Sequence, residues 1–196
     1  MGWPLTGNPA SNHRKALEMT MRDWLRVAVG LVLVAGTLDL RAQSVTAVPQ
    51  LDHARYAGTW YAIAGYPSKR LKRCASDVTQ LVAEADKASQ LQFVEACKVK
   101  AGFYDANNIT AKAQDKKVLD GRFKITTLWP FTRKYWVFAL APDYSWSLSG
   151  SPNRKELWVF SRTPTMSDAT LAEIKAKADA MGFSSAKLVM MPQSGH

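Results

Sequence analysis

From Tyr56 onward the chain is a succession of short apolar or alternating runs, each broken by turn residues. The runs are Thr59 to Tyr66, closed by Pro67-Ser68, Asp77 to Ala85, ended by Asp86-Lys87, and Gln90 to Lys98. A weaker run near Asn108 to Ala113 follows, then Gly121 to Leu128, Lys134 to Leu140, Ser145 to Ser149 and Glu156 to Ser161. Eight such runs, evenly spaced and joined by short turns, predict an antiparallel up-and-down meander. A meander either stacks as a sandwich or closes into a barrel, and closure removes the exposed edges.

A helical pattern occurs once in this part, late. Leu171, Ile174, Ala178 and Met181 fall at helical spacing, with Ser167 or Asp168 as the cap and Gly182 as the stop. Its single apolar stripe predicts a helix lying on the outside of the sheet. A last apolar run, Lys187 to Met191, predicts a short final strand before Pro192. In the sixth run Tyr135, Val137 and Ala139 share one face and Trp136, Phe138 and Leu140 the other. Both faces are apolar, so burial on one side does not explain the run. A barrel with an apolar interior and a helix on its outer wall does, although a central sandwich strand gives the same pattern. The expected fold is therefore all-β: an eight-stranded antiparallel up-and-down β-barrel with one C-terminal α-helix outside it and a short final strand.

The residues before the barrel read differently. Residues 1–20 hold Pro4, Gly7, Asn8 and Pro9 with no apolar period, which makes Met21 the more natural start. From there Arg22 and Arg26, the apolar stretch Val27 to Gly36, and Leu40-Arg41-Ala42 form the pattern of a secretory signal. The apolar stretch is too short to cross a bilayer core of ~30 Å as a helix. The expected division is 1–42 as extension and signal, 43–50 as linker, 51–192 as barrel with helix, and 193–196 as tail. With no Cys near the expected cut, a lipid anchor is disfavoured. The protein is expected to be exported, periplasmic or associated with an outer membrane.

The chain of 196 residues carries a net charge of +10. Residues 1–42 hold five basic and three acidic side chains, so the remainder keeps +8. The positive sign belongs to the domain and suggests a peripheral contact with an anionic membrane. The densest cluster is Lys69-Arg70-Leu71-Lys72-Arg73 in a predicted loop; a solvated rim explains it equally well. Nucleic acid is not expected as a partner, because no aromatic stacking platform accompanies the basic residues. The two cysteines, Cys74 and Cys97, belong with the second and third runs, and in an oxidising compartment an isolated pair bridges. About a turn at Asp86 to Ser89 they are not level, so the strand near Cys74 must hold extra residues or a bend.

No catalytic constellation stands out. His53 precedes the first run, and His13 and His196 lie near the ends. No G-x-S-x-G, P-loop, dinucleotide fingerprint or His-x-x-x-His occurs. Glu84 with Glu95 is a carboxylate pair without a spacing rule behind it. Binding is expected rather than turnover, with neither metal nor cofactor.

Three stretches together resemble the lipocalin family, over about residues 51 to 192. Gly58-Thr59-Trp60-Tyr61 is similar to the family's G-x-W block, with Leu51 to Tyr56 where lipocalins have a short turn closing the barrel floor. Ala141-Pro142-Asp143-Tyr144 is similar to the T-D-x-Y block, departing from it at Ala141-Pro142. Arg162 matches the arginine that packs across the G-x-W tryptophan. Tyr144-Ser145-Trp146 and Leu157 to Pro164 look most like the bacterial branch. The resemblance implies an eight-stranded barrel holding a small hydrophobic ligand or lipid, of the fatty acid or lysophospholipid class, for transport, storage or envelope maintenance. It makes Gly58, Trp60 and Arg162 a barrel floor. Two other outcomes follow from the same family: an isomerase-type enzyme using Glu84 or Tyr135, and a filled barrel that acts through its surface.

Side-chain parity supplies the candidate ligand-binding residues. Trp60 taken as inward puts Ala62, Ala64 and Tyr66 inward as well. The fifth run contributes Phe123 and Ile125, and the sixth Tyr135, Val137 and Ala139. A one-residue slip inverts each set.

Overall fold

The structure is a computed structural model that describes Gly2, residues 44–128 and residues 130–194. Apart from Gly2, the extension and signal expected over residues 1–42, with the start at Met21, lie outside the described residues. A short entry helix, His53–Tyr56, leads into β1 (Gly58–Gly65). Then come β2 (Cys74–Glu84), β3 (Gln90–Val99), β4 (Tyr104–Ala113), β5 (Arg122–Leu128), β6 (Phe131–Leu140), β7 (Trp146–Gly150) and β8 (Leu157–Ser161). Each strand pairs antiparallel with the next, and β8 pairs with β1, which also pairs with β2 and so closes the barrel. The eight expected runs are the eight strands. The outer helix Asp168–Ala180 follows, and β9 (Val189–Met190) adds to β1 outside the ring.

Alternation along the strands divides the apolar side chains into two cores. The interior core includes Trp60, Val82, Leu91, Phe93, Ile109, Phe123, Ile125 and Val137. The second lies between the outer wall and the helix, where Leu171, Ile174 and Ala178 meet Ile63, Phe138, Leu148 and Val159. The Ser167 hydroxyl accepts from Thr170 N–H (3.1 Å) and caps the helix, a contact worth ~1 kcal/mol.

Two bulges set which residues join which core. In β1 the register against β8 shifts between Ala62 and Ala64; in β6 the register against β7 shifts between Val137 and Ala139. An extra residue in one strand reverses parity beyond it. Ile63 and Ala64 therefore both pack in the outer core, as do Phe138 and Ala139. Beyond the bulge in β6, Leu140 packs against the interior core.

β2 is irregular where the cysteines require it. Its register against β3 shifts between Cys74 and Ser76 and again between Ser76 and Thr79, with Asp77 at φ 55°. The bend brings Cys74 and Cys97 into a disulfide with Cα atoms 5.7 Å apart.

The stretch expected as a linker lies on the barrel over residues 44–50. Val48 N–H donates to Val137 O (2.9 Å) and Val48 O accepts from Gly121 N–H (2.9 Å). A Cβ at position 121 would stand 2.6 Å from Val137 O and 2.7 Å from the Val48 side chain, so only glycine fits between them.

Candidate ligand-binding interior

A meander places alternate connections at opposite ends. The entry helix, the β2–β3, β4–β5 and β6–β7 turns, and Arg162 after β8 share one end. Here the Arg162 guanidinium lies 3.8 Å from the Trp60 ring centroid. Its Nη2 donates to Arg55 O (2.7 Å), Nη1 to Thr59 O (3.1 Å) and Nε to Tyr144 O (3.3 Å). A planar fork suits this task, stacking on indole while its edges meet three carbonyls. Trp60 Nε1–H donates to Tyr56 O (2.9 Å), so the buried indole is satisfied too. Gly58 has φ +103°, and a Cβ there would be 3.1 Å from Arg162 Nη1. Tyr144 joins the same end: its hydroxyl accepts from Asp52 N–H (3.1 Å), and Arg55 lies over its ring at 4.1 Å.

Above this floor the interior is aromatic. Phe93 stands edge-on to Phe123 and Tyr135, with ring centroids 6.1 and 5.6 Å away. A polar group lies among these rings. Tyr56, Gln80, Tyr135, Ser147 and Ser149 are all buried. The Tyr56 hydroxyl neighbours those of Ser147 and Ser149, and the Tyr135 hydroxyl neighbours Ser149 and Gln80. None of these contacts reaches hydrogen-bonding distance and angle, so both hydroxyls of the tyrosines, both of the serines and the Gln80 amide are unpaired. Burial pushes the tyrosine pKa values up, that of Tyr135 well above its ordinary value. The Tyr135 hydroxyl therefore stays protonated at neutral pH. Glu84, the other candidate for proton chemistry, is exposed at the floor end of β2.

The opposite end is covered by side chains from two segments. Leu71, in the loop between β1 and β2, and Met191, next to β9, pack against the interior core. From the same loop Arg70 Nη2 donates to Glu95 O (2.8 Å), and its Nε lies 3.7 Å from the Glu95 carboxylate. The C-terminal segment spans the gap where β1 and β2 part. Met191 N–H donates to Ile63 O (2.9 Å), Asp77 N–H to Pro192 O (2.9 Å), and Gln193 Nε2 to Ala62 O (2.8 Å). Although burial works against its charge, bonds from Ser194 and Ser76 hold the Asp77 carboxyl at about 2. Between the two segments lies an apolar pocket of about 220 Å³, reached by Leu71, Cys74, Val78, Met190 and Met191. A larger open groove of about 1010 Å³ runs past Gln50, His53, Glu84 and Lys117 at the floor end.

Ala62, Phe123, Ile125, Tyr135 and Val137 lie in the interior core. Ala64, Tyr66 and Ala139 do not; all three pack in the outer core, because the bulges reverse parity after Ala62 and Val137. Tyr66 is fixed there by its hydroxyl, which donates to Ser184 O (3.0 Å) and accepts from Ser184 N–H (2.8 Å). Parity from Val78 and Val82 points to Gln80, and the small residues of β7 to Ser147 and Ser149. Sequence reasoning passed over all three because polar residues in a strand read as solvent-facing.

Comparison with known proteins places this geometry. Residues 51–193 match the family model described as a lipocalin-like domain. The chain is 30% identical to outer membrane lipoprotein Blc of Citrobacter freundii, over 86% of this chain and 94% of that one. It is 31% identical to temperature-induced lipocalin-1 of Arabidopsis thaliana, over 75% and 82%. Among solved structures, insecticyanin from the tobacco hornworm Manduca sexta superposes with a TM-score of 0.62 at 14% identity, covering 76% of this chain and 85% of that one.

Proposed function

The chain belongs to the lipocalin-like family, and from that premise we propose that it binds a small hydrophobic ligand of the fatty acid or lysophospholipid class inside the barrel. The observation that carries this is the asymmetry of the interior core. It is bonded shut at Trp60 and Arg162, whereas at the other end Leu71 and Met191, from segments outside the ring of strands, cover it beside an apolar pocket. Burial of chain methylenes would drive binding, at ~25 cal/mol per Å². The unpaired groups of Tyr135, Gln80, Ser147 and Ser149 would suit an uncharged hydrogen-bonding group carried by such a ligand. Ala62, Phe123, Ile125, Tyr135 and Val137 are the proposed contacts. Service in an exported or envelope location fits the relatives named outer membrane lipoproteins.

Native mass spectrometry of the purified protein should find a co-purified lipid. Val137→Trp, which fills the interior, should cut the affinity for a fluorescent fatty acid by about tenfold or more. Unchanged affinity in that variant would place the ligand elsewhere. A second reading, a barrel filled by its own side chains, is favoured by the contacts of Phe93 with Phe123 and Tyr135. It predicts no co-purified lipid and no fatty-acid binding.

A further inference from the structure

The two ends of the barrel differ in charge. The floor turns, residues 52–57, 85–89, 114–121 and 141–145, hold four basic and five acidic residues. The loops at the opposite end, residues 66–73, 100–103 and 151–156, hold seven basic residues and one acidic, Glu156. Lys69, Lys72, Lys100 and Lys155 are exposed there, and no ion pair engages them among the described residues.

The same end also carries most of the exposed large apolar side chains. Phe103 and Tyr104, at the β3–β4 turn, are 63% and 58% exposed, and Phe131, at the start of β6, is 71% exposed. Val189 and Met190 are about half exposed. Phenylalanines held in water at turn tips, beside unpaired lysines, match the two terms of interfacial binding. Apolar rings enter the headgroup region, and cations meet anionic lipids. A protein partner would need a continuous apolar face, whereas these rings stand on separate loops around one rim.

We propose that this end of the barrel docks on an anionic lipid bilayer, with Phe103 and Phe131 inserted and Lys69, Lys72, Lys100 and Lys155 over the headgroups. The pocket beside Leu71 and Met191 would then face the membrane, while the floor with Trp60 and Arg162 stays in water. The docking surface stands on charge and exposure alone and does not need the ligand reading to hold.

The test is co-sedimentation of the protein with vesicles of phosphatidylcholine, with and without phosphatidylglycerol. Binding should appear with phosphatidylglycerol and weaken as salt rises. Phe103→Ser with Phe131→Ser should lower it about tenfold or more. Lys69→Glu with Lys72→Glu should lower it roughly twentyfold or more, at about fivefold for each lysine lost near the surface. Val118→Ser with Leu119→Ser, exposed residues at the floor end, should leave it unchanged, and matched melting curves should show each variant folded. Equal binding by the phenylalanine variant, equal loss in the floor variant, or no binding to any vesicle would overturn the proposal. So would a concentration-dependent dimer, lost with the same phenylalanines, in a protein that ignores vesicles. Vesicle binding by a protein that takes up no fatty acid would support this inference and overturn the ligand reading; fatty-acid uptake without vesicle binding would do the reverse.

Discussion

At the floor, one guanidinium donates to the carbonyls of Arg55, Thr59 and Tyr144 while lying flat on Trp60. At the other end, Leu71 and Met191 rest on the core, Arg70 reaches Glu95, and Ser194 holds Asp77. The floor contacts run to backbone of the entry helix, β1 and the loop before β7, so one side chain ties three parts of the barrel together. The far end is covered by one loop and one terminal segment; the latter also bonds through its backbone to β1 and β2, at Met191 and Pro192, but neither segment belongs to the ring of eight strands. Where closure draws on the ring of strands and the turns that join it, it serves stability; where it is made by segments outside the ring it can serve access.

Removing the tryptophan should break this comparison most severely. Trp60→Ala should cost ~3–5 kcal/mol in a denaturant titration, the usual loss for a large buried aromatic. An unchanged midpoint would mean the floor is not what holds the barrel shut.

Opening the disulfide at the far end comes next. Cys74→Ser with Cys97→Ser should cost about 3 kcal/mol, mainly by freeing the unfolded chain, with the bridge spanning 23 positions. Fatty-acid exchange should become faster in this variant, whereas Trp60→Ala should lower stability without changing ligand preference. The opposite pairing of effects would exchange the roles assigned to the two ends.

The smallest effect expected is at the C-terminal latch, and it depends on pH. The Asp77 carboxyl is held at about 2 in the folded protein against an ordinary value of 3.8. A depressed carboxylate stabilises the fold above the unfolded value and loses that contribution as pH falls through the folded one. Wild type should therefore be more stable than Asp77→Asn above about pH 4, the two converging toward pH 2. A difference that does not change with pH over that window would show that the carboxylate's charge plays no part in the latch.

The strands were legible because turn residues and β-prone runs are local signals, and each of the eight runs became a strand with ends shifted by a few residues. The outer helix was legible from Leu171, Ile174 and Ala178, all buried as the period required. The need for a bend near Cys74 could be read from cysteine spacing alone, and the bulges around Ser76 supply it. The bulges at Ile63 and Phe138 left no such trace. Both sit in stretches, Trp60 to Ala64 and Tyr135 to Leu140, that are apolar or aromatic at every residue, so no polar position marks the change of face. Simple alternation therefore points Ala64, Tyr66 and Ala139 inward, whereas the bulges turn them into the outer core.

By itself the sequence determined the number and order of strands, the outer helix and the cysteine pair, because these depend on residue type and near-neighbour spacing; the glycine, tryptophan and arginine of the floor followed from the family resemblance. Tertiary structure decided which apolar residues face inward, that polar Gln80, Ser147 and Ser149 join them, and that the basic loops and exposed phenylalanines gather at one end. Those facts depend on register and on strands distant in sequence meeting in space, and no local pattern encodes either.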